Sequence, residues 1–500
     1  MDKNSDIQSN RLSFIGLIAG PLVACVVLLW GAPAELMEQG QPSGAWITLA
    51  LLLFMAIWWV TEAVPIPVTS LLPLIVLPMF GVSPISQVAA PYMHPIVVLL
   101  LGGFIFAKAI EYWGLHERIA LHVINKAGAS PMRLIGGFMV AATLLSMWIS
   151  NSATSIMMMP IALSVAASVQ TEQGTSSKAF TLALLLGIAY ACSIGGLGTP
   201  IGTPTNLIVM AYLNQHNGIE ISFFQWMIIG VPTIVLLLPL VWLTLTKWVF
   251  KLPTMGAEQA RQAVSTRLQQ MGAITTAEKR TLLVFLLIAG LWMFRRILNT
   301  WEFSFDDRVY APFAGLTDHV IAIFAVVLCF LVPAGGKSNR GKSLLDWNAA
   351  ESIPWGVLLL FGGGMSLAQA ISSTGLSAYI GGSMSVFATY PIPVLIFLVA
   401  VMVLALTEVT SNVATAAAIM PVLGAIAIET GLPIELMAAP LALAASCAFM
   451  LPMATGPNAV VFATGEVSLA TMANVGFRLN LIALLVIVAV SYYLAPMALG

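Results

Sequence analysis

Charge is what this sequence has least of. Only 8% of its 500 residues are Asp, Glu, Lys or Arg, while 59% are hydrophobic, against a charged share of about 25% in soluble domains. That shortage excludes a string of soluble domains and makes the chain an integral membrane protein. The net charge of −1 leaves no overall field to gather nucleic acid. Cysteine is scarce: Cys25, Cys192, Cys329 and Cys447 all fall in apolar stretches without metal-ligand spacing. Such thiols behave as small hydrophobes, and no disulfide is expected. No set of nucleophile, base and metal ligands stands out, which argues against an enzyme. His116, Glu117 and His122 lack the spacing of a zinc-protease helix, because Ala120 occupies the needed position. Residues Gly336 to Ser343 match the phosphate-loop pattern letter for letter. An apolar span precedes them and another begins near Ile353, so a basic loop is expected there and no nucleotide.

Long apolar runs are what the chain does have, and about 20 such residues cross a bilayer as a helix. The first run, 12–31, has no small-x-small cleavage site and is followed by many others, so it reads as a retained helix. Runs follow at 45–62, at 66–80 with several prolines, and at 96–114. Arms 133–149 and 153–169 are short, and their far ends carry Arg133 and Lys178. They read as a re-entrant hairpin, since non-helical backbone at depth survives only inside protein or along a cavity. Segment 179–213 is interrupted by Gly195, Gly196, Gly198, Pro200, Gly202 and Pro204, which predicts a broken helix. A span at 224–247 leads into a polar linker, expected to form an amphipathic helix on the inner leaflet. Spans at 281–298, 319–333 and 355–371 precede a second hairpin, 392–408 with 414–428. A second broken helix, 437–466, is interrupted from Met453 to Asn458, and a last span covers 475–497.

The two halves echo each other. Ser146, Ser150, Asn151 and Ser152 recur at one constant spacing as Thr407, Ser411, Asn412 and Val413. Gly102-Gly103 and Gly114-Leu115 recur at that same spacing as Gly363-Gly364 and Gly375-Leu376. Thr203 and Asn206 return in a slightly different register as Thr455 and Asn458. One Ser-Asn pair alone would read as a helix cap. Matched polar knots sunk in hydrocarbon are costly and mark function, and two in register predict a symmetric site near the midplane. The resulting organisation is an N-terminal helix (1–44), a first repeat (45–250, with hairpin 133–169 and broken helix 179–213), a linker (251–280) and a second repeat (281–500, with hairpin 392–428 and broken helix 437–466).

With the N-terminus inside, every Lys and Arg falls inside except Arg295, Arg296 and Arg308 outside and Lys108 within a span. Glu35, Glu38, Glu302, Asp306, Asp307 and Asp318 are then external. The expected fold is all-α: eleven transmembrane helices plus two opposed re-entrant hairpins, with the C-terminus outside. Lys108 is expected to snorkel or pair with Glu111. Glu62 and Glu408 are expected to be buried, hydrogen-bonded braces rather than proton carriers.

The knots and helix breaks contain no Arg or Lys. Their hydroxyls and amides offer acceptors to a cation and donors to an anion, and half-helix N-termini add partial positive charge. An anion held there needs bound cations for charge balance, which is a mechanism for symport.

At these residues the chain resembles a known family. The paired Ser-Asn knots, Gly202-Thr203-Pro204-Thr205-Asn206, Ala454-Thr455-Gly456-Pro457-Asn458, Trp58-Trp59-Val60-Thr61-Glu62-Ala63-Val64-Pro65 and Leu406-Thr407-Glu408-Val409-Thr410-Ser411-Asn412 look like the divalent anion/sodium symporter family (solute carrier family 13 and bacterial relatives). The likeness covers nearly the whole chain after residue 45. It implies a homodimer in the cytoplasmic membrane whose inverted repeats form a fixed scaffold and a mobile domain, working as an elevator. It implies sodium as coupling ion and C4-type dicarboxylates (succinate, malate, fumarate, also 2-oxoglutarate) as cargo. A sodium-independent dicarboxylate exchanger and a sodium/sulfate symporter are the alternatives. Carried over, the first sodium site would use Ser146, Ser150, Asn151 and Gly202, and the second Thr407, Thr410, Asn412 and Ala454. Substrate would meet Ser150, Asn151, Ser152 and Thr203, opposite Ser411, Asn412, Val413 and Thr455. Ser152 and Val413 stand where the family often has Thr, and Gly456 where it often has Pro.

Overall fold

A backbone in hydrocarbon must satisfy its own hydrogen bonds, so apolar runs become helices. A computed structural model describes residues 3–32, 42–128, 130–169, 177–252, 257–305, 308–336, 339–383 and 390–499. Glu35, Glu38, Asp306, Asp307 and Lys337, used above to orient the chain, lie outside the described residues. Among the described residues nine helices are long and apolar enough to span a membrane. They include Ser13–Trp30, Ser43–Thr61, Ile85–Tyr112, Phe223–Val249, Thr276–Asn299, Trp355–Ser373 and Leu469–Tyr493. The expected spans at 66–80, 319–333 and 437–466 hold shorter apolar helices, Ile66–Met79, Asp318–Leu331 and Glu435–Ala445. The molecule is an all-α multi-pass membrane fold with one small addition. Phe303–Phe305 and Arg308–Tyr310 form a two-stranded antiparallel ribbon, where Phe303 and Tyr310 stack across the strands at 5.5 Å.

At both expected hairpins the chain forms two helices joined by a short turn, Pro131–Ser146 with Asn151–Ser168, and Ile392–Thr407 with Asn412–Thr430, the last being one of the nine span-length helices. Both broken helices are present too. The first runs Lys178–Gly196 and resumes at Pro204–Asn217; the second runs Glu435–Ala445 and resumes at Gly456–Ala463. Unwinding in the second starts at Ser446 rather than at Met453, where the sequence pattern put it. The Lys178–Gly196 helix is 89% buried against 11% for Ser13–Trp30. The broken helices therefore form the centre of the molecule and the first helix its edge.

The linker forms a helix, Ala257–Gln270, which packs on Leu115–Lys126 and Asn151–Ser168 and buries Val264. Arg267 bonds Glu117 at 2.9 Å, beside a cleft of about 690 Å³ lined by Met157, Pro160 and Ile161. Arg118 then fastens the linker's end, donating to Glu278 at 2.7 Å and to the Gly272 carbonyl at 2.9 Å. Both partners of this ion pair are buried, so removing one would strand the other's charge.

Candidate functional site

Each hairpin tip is closed by a hydroxyl paired with an Asn side-chain amide. The Ser146 hydroxyl donates to Asn151 Oδ1 at 2.6 Å, and the Thr407 hydroxyl to Asn412 Oδ1 at 2.7 Å. Ser146 and Thr407 are fully buried. Thr407 also lies 2.9 Å from the Ala445 carbonyl oxygen, and one hydroxyl proton cannot serve both acceptors. Turning the Asn412 amide over resolves this. Nδ2 then donates to Thr407, and Thr407 donates to the Ala445 carbonyl. Amide orientation is an assignment from the hydrogen-bond network, so this is the arrangement in which all three groups agree.

The helix breaks are clamped by a repeated side chain. Asn206 Nδ2 donates to the Gly196 and Thr199 carbonyls at 3.0 and 2.8 Å. Asn458 Nδ2 donates to the Ala448 and Leu451 carbonyls at 3.1 and 3.0 Å. In each case the acceptors lie ten and seven residues earlier in the chain. Of these carbonyls Gly196 is the last of a helix, and the other three belong to the unwound loops, where Thr199 and Leu451 also accept from Gly202 N and Ala454 N. Oδ1 of each Asn is buried and accepts nothing from the protein, which suits a site built to receive something.

The tips and the breaks then meet. A Cβ on Gly196 would stand 2.7 Å from Asn151 Oδ1, and one on Gly202 would stand 2.6 Å from the Gly196 carbonyl. Ser146, Asn151, Gly196 and Gly202 therefore form one oxygen-rich cluster, with Ser150 next to it in the chain. Across the molecule, Gly456 presses directly against the Ser152 hydroxyl, and Thr205 Oγ1 meets Ser446 Oγ at 2.8 Å. The second arm of each hairpin packs on the resumed piece of the other half's broken helix: Asn151–Ser168 on Gly456–Ala463, and Asn412–Thr430 on Pro204–Asn217. The halves thus interlock.

Not every expected residue offers the same group. Thr410 spends its hydroxyl on the Leu406 carbonyl at 2.8 Å and on Thr415, leaving its carbonyl for a ligand. Thr455 uses its hydroxyl to cap Asn458 N, and Ser150 uses its own to cap Ala153 N. Thr203 and Ser411 occupy the same N-cap positions with no cap bond from the side chain. Ala454 is buried, and Val413 packs partly buried against the apolar core. Among the described residues no direct side-chain bond links Asn151 to Asn412; Ser152–Gly456 and Thr407–Ala445 connect their surroundings.

The three charged residues singled out by sequence separate clearly. Lys108 pairs with Glu111 at 3.0 Å, as expected. Glu408 is a brace: its carboxylate accepts from Phe449, Met450 and Leu451 backbone N–H groups at 2.9–3.1 Å and from Asn480 Nδ2 at 2.6 Å. Glu62 is not. It is exposed and left-handed with φ 46, at a helix end where Ala63 N returns to the Trp58 carbonyl. Such a C-terminal turn needs that backbone shape and leaves the carboxylate outside. Sequence reasoning missed Asn480 and the Thr205–Ser446 pair. It noticed Asn206 and Asn458 as a repeat but assigned them no role.

Comparison with known proteins gives concordant findings. The family model described as "Sodium:sulfate symporter transmembrane region" matches residues 12–499. The sodium-dependent dicarboxylate transporter SdcS of Staphylococcus saprophyticus is 42% identical, over 100% of this chain and 94% of its own length. SdcS of Staphylococcus aureus (strain USA300) is 41% identical over 97% and 92%. Among solved structures, the Alcanivorax borkumensis YdaH transporter matches with a TM-score of 0.58 at 14% identity, covering 93% of this chain and 98% of that one. Neisseria gonorrhoeae MtrF matches with a TM-score of 0.56 at 14% identity over 83% of each. At that identity the structural likeness speaks for the fold alone.

Proposed function

The chain belongs to the sodium:sulfate symporter transmembrane-region family, and from that premise we propose that it is a sodium-coupled importer of C4-type dicarboxylates. It is a membrane transporter and not an enzyme. The observation that carries the reading is the pair of oxygen clusters without a basic side chain, Ser146–Asn151 and Thr407–Asn412, each closed by a hydroxyl paired with an Asn amide.

Sodium is cargo here, bound with the substrate and released with it. Ser146, Ser150, Asn151 and the Gly202 carbonyl would hold one ion. Thr407, Asn412 and the carbonyls of Thr410 and Ala454 would hold the other. Oxygen donors from unwound backbone and neutral side chains suit sodium. A dicarboxylate brings two negative charges into a region of low dielectric, where an unbalanced charge is expensive. Two bound cations remove that cost, so each species favours the other's binding. Ser150, Asn151, Ser152 and Thr203 would take one carboxylate, and Ser411, Asn412 and Thr455 the other; Val413 and Gly456 shape the apolar gap between them.

The finer architecture belongs to the same proposal. The two hairpins enter the bilayer from opposite faces, the halves are inverted repeats giving eleven spans, and the N-terminus is cytoplasmic with the C-terminus external. A homodimer would hold the scaffold still while hairpins and broken helices move together. The family's description favours sulfate as a second reading; the dicarboxylate named for the full-length relatives favours the first. Proteoliposomes should accumulate labelled succinate under an inward sodium gradient, with uptake abolished by Asn151→Ala or Asn412→Ala. Uptake unchanged when choline replaces sodium, or blocked by excess sulfate and not by malate, would overturn the reading.

A further inference from the structure

Thr203 and Thr455 hold matching positions, each the N-cap of a resumed half-helix, yet their hydroxyls do different things. Thr455 accepts from Asn458 N at 3.2 Å and is committed to its helix. Thr203 makes no such bond; its Oγ1 lies 3.3 Å from Thr205 Oγ1 instead. Thr205 in turn meets Ser446 at 2.8 Å, and Ser446 is the residue at which the second broken helix begins to unwind. Thr203, Thr205 and Ser446 are 4%, 0% and 1% exposed. Buried hydroxyls seldom waste a bond, and removing one partner leaves the others poorly satisfied. The result is a relay of three hydroxyls that starts at an expected substrate group in the first half and ends on the break in the second.

We propose that Thr205 and Ser446 are positioning residues: their bond turns the Thr203 hydroxyl toward substrate and fixes the gap between the two half-sites, and so sets which length of dicarboxylate fits. This rests on the assignment of Thr203 to the substrate site made above. Neither hydroxyl needs to touch the ligand. A diacid with its carboxylates in both half-sites is measured by the distance between the two helix breaks, and the Thr205–Ser446 bond ties the first of those breaks to the second. Without the bond, Thr203 can turn to cap its own helix as Thr455 does, and the gap loosens.

The test compares the full-length protein in proteoliposomes with Thr205→Val, Thr205→Ser, Ser446→Ala and the Thr205→Val/Ser446→Ala pair. Measured quantities are succinate KM and maximal rate, half-saturating sodium, and competition by malonate and glutarate. Thr205→Val and Ser446→Ala should each raise succinate KM about tenfold, the size expected when a site loses a group worth about one hydrogen bond. Maximal rate and half-saturating sodium should stay within about twofold, and malonate and glutarate should compete better relative to succinate. Thr205→Ser, which keeps the hydroxyl, should restore KM, and the double variant should be no worse than either single one. Wild-type KM and an unchanged competition profile in Thr205→Val, or additive losses in the double variant, would overturn the proposal. So would a fall in maximal rate shared by the Val and Ser variants, since that marks a merely structural role. Should Thr205→Val fail to fold, Ser446→Ala decides by the same readings. Wild-type protein without sodium-driven succinate uptake would instead sink the underlying assignment, so the two failures are told apart.

Discussion

In the first half, neutral groups hold the loop between the two pieces of the broken helix. The Thr199 hydroxyl donates to the Met147 carbonyl, and the Trp226 indole donates to the Leu197 carbonyl at 3.0 Å. In the second half the position that matches Met147 is Glu408, and its carboxylate gathers three consecutive backbone N–H groups and Asn480. The cause lies in the loops. The first unwinds from Leu197 to Thr203 and ties itself with carbonyls as acceptors; the second unwinds from Ser446 to Thr455 and turns a row of N–H donors inward. Only an acceptor with several lone pairs can satisfy such a row, and a carboxylate is that group. The halves therefore share a hydrogen-bond plan at the hairpin tips and the Asn clamps but differ in what braces the plan from behind.

Breaking the asymmetric brace should do most damage. Glu408→Gln replaces one acceptor oxygen with an NH₂ group facing N–H donors, and should cost at least about 2 kcal/mol of stability and nearly all transport. Met147→Leu, at the matching place, should cost less than about 1.5 kcal/mol. Thermal unfolding in detergent and succinate uptake report both, and equal losses at the two positions would erase the distinction. The shared part of the plan predicts equality instead. Asn206→Ala and Asn458→Ala each lose two bonds to backbone carbonyls and should each cost about 2 kcal/mol, measured by chemical or thermal unfolding. A severe loss at one site and none at the other would show that the clamps are alike in geometry only. Smallest should be the effect at the caps. Thr455→Val should lower stability by about 1 kcal/mol, the worth of an N-cap. Thr203→Val, which loses no cap, should leave stability nearly unchanged while raising succinate KM.

Much of this organisation was readable before any coordinates. The hairpins, both helix breaks and the paired Ser-Asn knots announced themselves because polar residues and Gly or Pro are conspicuous against an apolar background, and because they occur twice. Lys108–Glu111 was legible for a local reason, being three residues apart on one helix. What escaped were contacts between distant segments. Nothing near Asn480 marks it as a partner for Glu408, and Thr205 and Ser446 look like ordinary small polar residues until the fold joins them. The early unwinding at Ser446 was hidden too, because residues 446–452 contain no glycine and Pro452 comes late; a carboxylate from another element draws out the N–H groups there. Glu62 was expected to be a buried brace like Glu408, whereas its backbone serves a helix end. The linker helix has the composition of a surface helix, and only packing shows that its apolar side is taken by the first hairpin.

The central claim is that cations in two uncharged pockets make room for a dianion. Its most direct test is reciprocal binding to the purified protein: succinate titrated at rising sodium, and sodium titrated with and without succinate. Succinate should bind in sodium chloride and fail in choline chloride, and each ligand should strengthen the other's binding by the same factor. Succinate binding of equal strength in choline and in sodium would contradict the account.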